Sequence, residues 1–159
     1  MTTQEATLHR LVDPTKVQVF VFTCPANIPT NIGAHPWFVI NRQGALSRWE
    51  VLFQKRARST QHWGHIFKDA FPPFSGISIF PLFYSPRWNA TLLGVIEGEA
   101  AELLAQRIEN SPSEYPFRDA YFILGPNSNT YGQWALNALP TNSIKLPWNA
   151  FGKNHKARG

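Results

Sequence analysis

Apolar residues fall along the chain in short, separated runs, and their spacing predicts most of the elements. Residues 16–22 (KVQVFVF) are dense in Val and Phe and read as a strand. Residues 35–41 (HPWFVIN) read as a second and residues 47–55 (SRWEVLFQK) as a third. On the third, period-two alternation puts Trp49, Val51 and Phe53 on one face and Glu50 and Leu52 on the other. Arg42-Gln43-Gly44 is a tight turn, so the second and third strands pair as a hairpin. Residues 24–33 (CPANIPTNIG) hold two prolines and read as a loop.

Residues 57–90 are rich in aromatics and prolines with little periodicity, which predicts an irregular excursion holding one short strand at 76–80. Residues 91–96 form another strand. A helix follows over 97–110, with acids in its first turn and Ala101, Leu104 and Ile108 on one face. Ser111-Pro112 ends it. Residues 120–124 (AYFIL) read as a short apolar strand broken by Gly125-Pro126. Residues 130–139 read as a short helix stopped by Pro140, with Tyr131, Trp134, Ala135 and Ala138 on its apolar side. The implied fold class is α+β: a mainly antiparallel sheet of five to six strands carrying two helices. One globular domain spans 16–152, between a polar, loosely held segment 1–15 and a basic tail 153–159.

Composition narrows the functional classes. At 159 residues the chain has room for one domain and a sizeable core. No apolar run approaches the roughly 20 residues of a membrane span, and no signal peptide is visible, so the default compartment is the cytoplasm. A single cysteine, Cys24, excludes an internal disulfide and any cysteine-based zinc cluster, and reads best as a small packed residue. The formal charge is +5, and Lys145, Lys153, Lys156 and Arg158 supply four of those charges with no acid among the last fifteen residues. The body is therefore nearly neutral. Its aromatics are not interleaved with Lys and Arg, which disfavours a nucleic-acid groove. His62 and His65 lack a third ligand at suitable spacing, so no metal is expected. No cofactor is implied.

Three positions carry candidate chemistry. His35 starts the second strand, Glu50 lies on the third, and Ser128 stands where a helix begins. The free N–H groups of a helix start stabilise negative charge and can serve as an oxyanion hole. A strand histidine could take the Ser128 proton, and Glu50 could orient that histidine. The competing reading is structural. Ser, Asn and Thr before a helix are what capping alone selects, and Thr130 with Gln133 fits a capping box.

His35-x-Trp37, the Glu50 strand, Gly125-Pro126-Asn127-Ser128-Asn129-Thr130 with Tyr131 next, and Ala150-x-Gly152-Lys153 resemble an uncharacterised bacterial family of unknown function. That resemblance covers residues 33–153. More distantly, the arrangement is similar to circularly permuted papain-like hydrolases, which include NlpC-type cell-wall peptidases and lecithin:retinol-type acyltransferases. In that group a cysteine stands where Ser128 stands here. The resemblance implies a permuted papain-like topology and an amide or ester hydrolase or acyltransferase. Ser128 would be nucleophile, His35 general base and Glu50 its orienting partner. Trp37, Asn127, Asn129 and Tyr131 would contact substrate. The alternative is a non-catalytic module that binds a peptide, lipid, sugar or other small molecule in the same pocket, which the exchange of cysteine for serine favours. The oligomeric state stays open.

Overall fold

The computed structural model describes residues 2–26, 32–53, 61–77, 90–141 and 144–157. The elements are α1 (Thr3–His9), β1 (Val17–Pro25), β2 (Ala34–Arg42), β3 (Ala45–Val51), β4 (His62–Trp63) and β5 (Ile66–Lys68). They continue with β6 (Thr91–Glu97), α2 (Gly98–Glu109), α3 (Ser111–Glu114) and α4 (Ser128–Leu136). The strands form one six-stranded sheet in the order β4-β5-β3-β2-β1-β6, and every pairing is antiparallel. The fold class is α+β, as the pattern of strands and helices predicts.

β1 and β2 are central and buried on both faces, which is why they read as nearly unbroken apolar runs. On one face Val19, Val21, Phe38, Ile40, Trp49 and Val51 pack under α2 and α4. On the other, Phe20, Phe22, Trp37 and Val39 pack against Leu8 of α1 and Phe74. The β2–β3 hairpin closes through Gln43 (φ 53°) and Gly44 (φ 94°), both left-handed, the two-residue geometry whose twist matches the strands.

Two expectations are corrected. Segment 1–15 is not loose throughout, because residues 3–9 form α1. Thr2 caps it by accepting from the Glu5 N–H at 3.2 Å, and the Glu5 carboxylate accepts from the Thr2 N–H at 2.8 Å. Seven residues do not hold a helix alone in water. Burial of Leu8, worth about 1.5–3 kcal/mol, and the bond from Gln4 Nε2 to the Ala90 carbonyl fix α1 to the sheet.

The second correction concerns residues 120–124, which form no strand. The Phe122 N–H donates to the Pro126 carbonyl at 2.7 Å and the Gly125 N–H to the Phe122 carbonyl at 3.0 Å. The backbone is spent on its own turn instead of on a neighbouring strand.

Boundaries shift elsewhere. β3 ends at Val51, and residues 54 and 55 of the expected strand lie outside the described residues. Of the strand expected at 76–80, Gly76 and Ile77 are irregular and 78–80 lie outside. The aromatic excursion instead contributes β4 and β5. Short helices α1 and α3 join the two expected ones. Among the described residues no helix is long and apolar enough to cross a membrane.

Candidate functional site

Strand alternation separates the candidate residues. On β2, Ala34, Pro36 and Phe38 point toward α4, and the Cβ that Gly132 lacks would lie 3.0 Å from Pro36 Cγ. His35 and Trp37 therefore point the other way, toward α1 and Phe74. On β3 the same rule turns Trp49 and Val51 toward α4, and Arg48 and Glu50 toward His35.

His35 and Glu50 do meet. His35 Nε2–H donates to Glu50 Oε2 at 2.7 Å. Glu50 is also gripped by Arg48, whose Nε reaches Oε1 at 2.7 Å and whose second terminal nitrogen reaches Oε2 at 3.0 Å. The other terminal nitrogen of Arg48 donates to the carbonyls of Pro72 (2.7 Å) and Ser75 (2.6 Å). The guanidinium lies 4.3 Å from the centroid of the Trp37 ring, and Trp37 Nε1 donates to the Pro73 carbonyl. Arg48 and Glu50 are wholly buried. Burial pushes the Glu50 carboxyl up, but the Arg48 charge and the His35 hydrogen bond outweigh it and hold the group below its ordinary range. The arrangement is a buried ionic staple binding segment 69–77 to the sheet. Sequence reasoning overlooked Arg48, yet Arg48-x-Glu50 on a strand puts both side chains on one face. Cys24 stands opposite His35 in the β1–β2 register. It is packed, and burial pushes its thiol up to about 11, so it is not a thiolate near neutral pH.

Ser128 opens α4 on the opposite face of the sheet. Among the described residues no hydrogen bond joins it to His35. The phenol of Tyr121 lies near its hydroxyl; burial raises the Tyr121 pKa, and Ser128 opposes that rise. Tyr121 in turn packs on His65, whose Nδ1–H donates to the Leu52 carbonyl at 3.0 Å.

The flanking asparagines hold the local fold. Asn127, not Thr130 with Gln133, makes the cap. Its Oδ1 accepts from the N–H groups of Asn129 (2.9 Å) and Thr130 (3.3 Å), and its own N–H donates to Thr130 Oγ1. Asn127 Nδ2 donates to the carbonyls of Ile123 (2.9 Å) and Phe151 (3.0 Å). Asn129 Nδ2 adds a bond to the Phe151 carbonyl, and Thr130 Oγ1 one to the Gly152 carbonyl. The Asn-Ser-Asn-Thr stretch thus latches the 122–126 turn to the C-terminal segment. Tyr131 and Trp37, expected to line a pocket, are core residues, and Tyr131 Oη meets Ser111 Oγ at 3.0 Å.

A different concavity lies beside α4. An open groove of about 820 Å³ runs between the outer side of the helix and the C-terminal segment. Phe117, Trp134 and Leu146 contribute apolar floor, and Lys145, Lys153 and Lys156 stand along it. Trp134 is held by stacking on Tyr131 and by the Arg107 guanidinium 3.7 Å above its ring. No Asp or Glu is among the described residues that line the groove. Lys153 and Lys156 belong to the segment 153–159 that the sequence marks as a basic tail, and Lys145 to the domain itself.

The class defined by this geometry is a six-stranded antiparallel α+β domain with helices on both faces. The chain belongs to the family described as protein of unknown function (DUF3750), whose model matches residues 15–155. No curated protein and no solved structure matches it.

Proposed function

We propose that the domain is a non-catalytic binding module whose groove beside α4 takes an amphipathic anion, an apolar chain ending in an acidic head group. The observation that carries this reading is the groove's apolar floor beneath a row of lysines, free of acids among its described lining. Ligand sites are typically concave and apolar with a few placed polar groups. An ammonium rim steers and orients an anionic head while excluding a cationic one.

The acyl-enzyme alternative needs a base beside Ser128. The titratable group near it is the Tyr121 phenol, which burial keeps protonated, and a phenol in that state takes no proton from serine. His35 is committed to Glu50 on the other face.

Myristate is a suitable first probe, with monomyristoylglycerol as its uncharged counterpart and tryptophan fluorescence as readout. Myristate should bind more tightly than the glyceride. Gln133→Glu places an acid on the groove wall without altering helix propensity. A like charge near the head group is worth on the order of 1–2 kcal/mol in a half-open site, so myristate affinity should fall about five- to thirtyfold. Equal binding of both probes, or an unaffected Gln133→Glu variant, would remove the groove assignment.

Ser128→Cys tests the catalytic alternative. Its thiol, buried and facing Tyr121, should alkylate with iodoacetamide more slowly than free cysteine at neutral pH. Rapid, selective alkylation there would restore the nucleophile reading.

A further inference from the structure

We propose that the end of the domain built around Asn127 docks on an anionic lipid bilayer surface. Six large apolar side chains stand in solvent there. Leu124 is 78% exposed, Trp148 80%, Phe122 64%, Ile123 60%, Ile32 58% and Phe151 42%. They are distant in sequence but adjacent in space. One nitrogen, Asn127 Nδ2, bonds the carbonyls of both Ile123 and Phe151. Asn149 Nδ2 donates to the Ile32 carbonyl at 2.8 Å, the Ala34 N–H donates to the Asn149 carbonyl, and the Trp148 ring meets Phe151 edge-on. A cap that holds an apolar turn outward, with its own polar groups turned inward, presents hydrophobic tips on a rigid base. Scattered exposed apolar residues need no explanation, but a cluster of this size does.

Charge identifies the occupant. No Asp or Glu follows Asp119 in the sequence, while Lys145, Lys153, Lys156 and Arg158 do. Residues 120–159, which carry five of the six tips, therefore hold basic side chains and no acidic one. His155 and Gly152 abut the apolar turn: a Cβ on Gly125 would lie 3.0 Å from His155 Cβ and 3.2 Å from Gly152 Cα. Protein interfaces are depleted in lysine. Protruding Trp, Phe and Leu flanked by lysines are instead what inserts at the acyl–headgroup boundary of an acidic leaflet. The apolar tips lie outside the groove, whereas Lys145, Lys153 and Lys156 also line it, so the tip variants and Gln133→Glu are what separate bilayer docking from the proposed ligand.

The test is co-sedimentation of the full chain with phosphatidylcholine vesicles and with phosphatidylcholine–phosphatidylserine vesicles mixed at roughly 2:1. The chain should sediment with the acidic vesicles and only weakly with the neutral ones. Leu124→Ser with Trp148→Ser, both outside the core, should lower acidic-vesicle binding about tenfold or more with an unchanged melting temperature. Lys145→Gln with Lys156→Gln should lower it roughly 25-fold and narrow the preference for phosphatidylserine by the same factor, at about fivefold per charge. Gln133→Glu should leave vesicle binding intact, and Leu124→Ser with Trp148→Ser should leave myristate binding intact. Three results would overturn the proposal: no sedimentation with acidic vesicles, binding indifferent to loss of the apolar tips, or a stable dimer in solution that Leu124→Ser with Trp148→Ser dissolves.

Discussion

Glu50→Ala should destabilise the domain by about 3–5 kcal/mol, the usual cost of removing one partner from a buried ion pair. The loss comes from what remains. Arg48 would keep a buried guanidinium with two of its donors facing a void, and His35 Nε2–H would lose its acceptor. Urea unfolding monitored by tryptophan fluorescence would read this as a lower midpoint at unchanged slope. Glu50→Gln keeps the shape and removes the charge, so it should fall between wild type and alanine. Arg48→Met combined with Glu50→Leu should cost less than the sum of the single changes, because neither partner is then stranded.

The pH dependence has a definite sign. The carboxyl of Glu50 is held below its ordinary range in the folded state. Its contribution is therefore fully present above the unfolded-state value, about 4.3, and is lost as pH falls through the folded value. Wild-type stability should drop through that acid window, and Glu50→Gln should lack this component of the drop. An identical acid slope in both proteins would mean that Glu50 is not the group being titrated.

The parts of this molecule that local pattern dictates were legible in the sequence, and the parts set by three-dimensional closure were not. Continuous apolar runs place β1 and β2 because both strands are buried on both faces. The Leu104 and Ile108 spacing places α2 because one side of that helix meets the sheet. Residues 120–124 mislead for a physical reason: an apolar run marks a strand only when a neighbour takes its backbone, and here the turn takes it. The Thr2 and Glu5 capping box lies in a stretch whose polar composition reads as loosely held, so α1 was not expected.

For the candidate site, pairing His35 with Glu50 follows from two strands of one hairpin. Which face of the sheet α4 would cover does not follow from residue types, and that choice separates Ser128 from His35. A strand period of two makes the separation a matter of parity, since Pro36 faces the helix and its neighbour His35 cannot. The lysine row along the groove was equally hidden, because it exists only once residues 145–156 fold back beside α4.

Gly152→Ala should destabilise by about 2–4 kcal/mol, although it adds one methyl group. Gly152 has φ +88°, and a Cβ there would sit 2.7 Å from Asn127 Nδ2 and 2.9 Å from Asn127 Oδ1. Left-handed strain alone accounts for about 1–2 kcal/mol. The remainder is the displaced cap: moving the Asn127 amide strands the Asn129 and Thr130 N–H groups and the Ile123 carbonyl, and leaves the Phe151 carbonyl with Asn129 Nδ2 alone.

Gly98→Ala separates the two contributions. Gly98 also has positive φ, at +68°, but nothing lies within 4 Å of its would-be Cβ, so that variant should show the strain alone. The difference between the two unfolding free energies then measures the latch. The same latch holds Phe122, Ile123 and Leu124 outward, so Gly152→Ala should also raise amide exchange in the 122–126 turn, where Gly98→Ala should not. Equal destabilisation by the two variants, with exchange in the turn unchanged, would mean that the Asn127 amide yields without loss and that the apolar turn is held by something else.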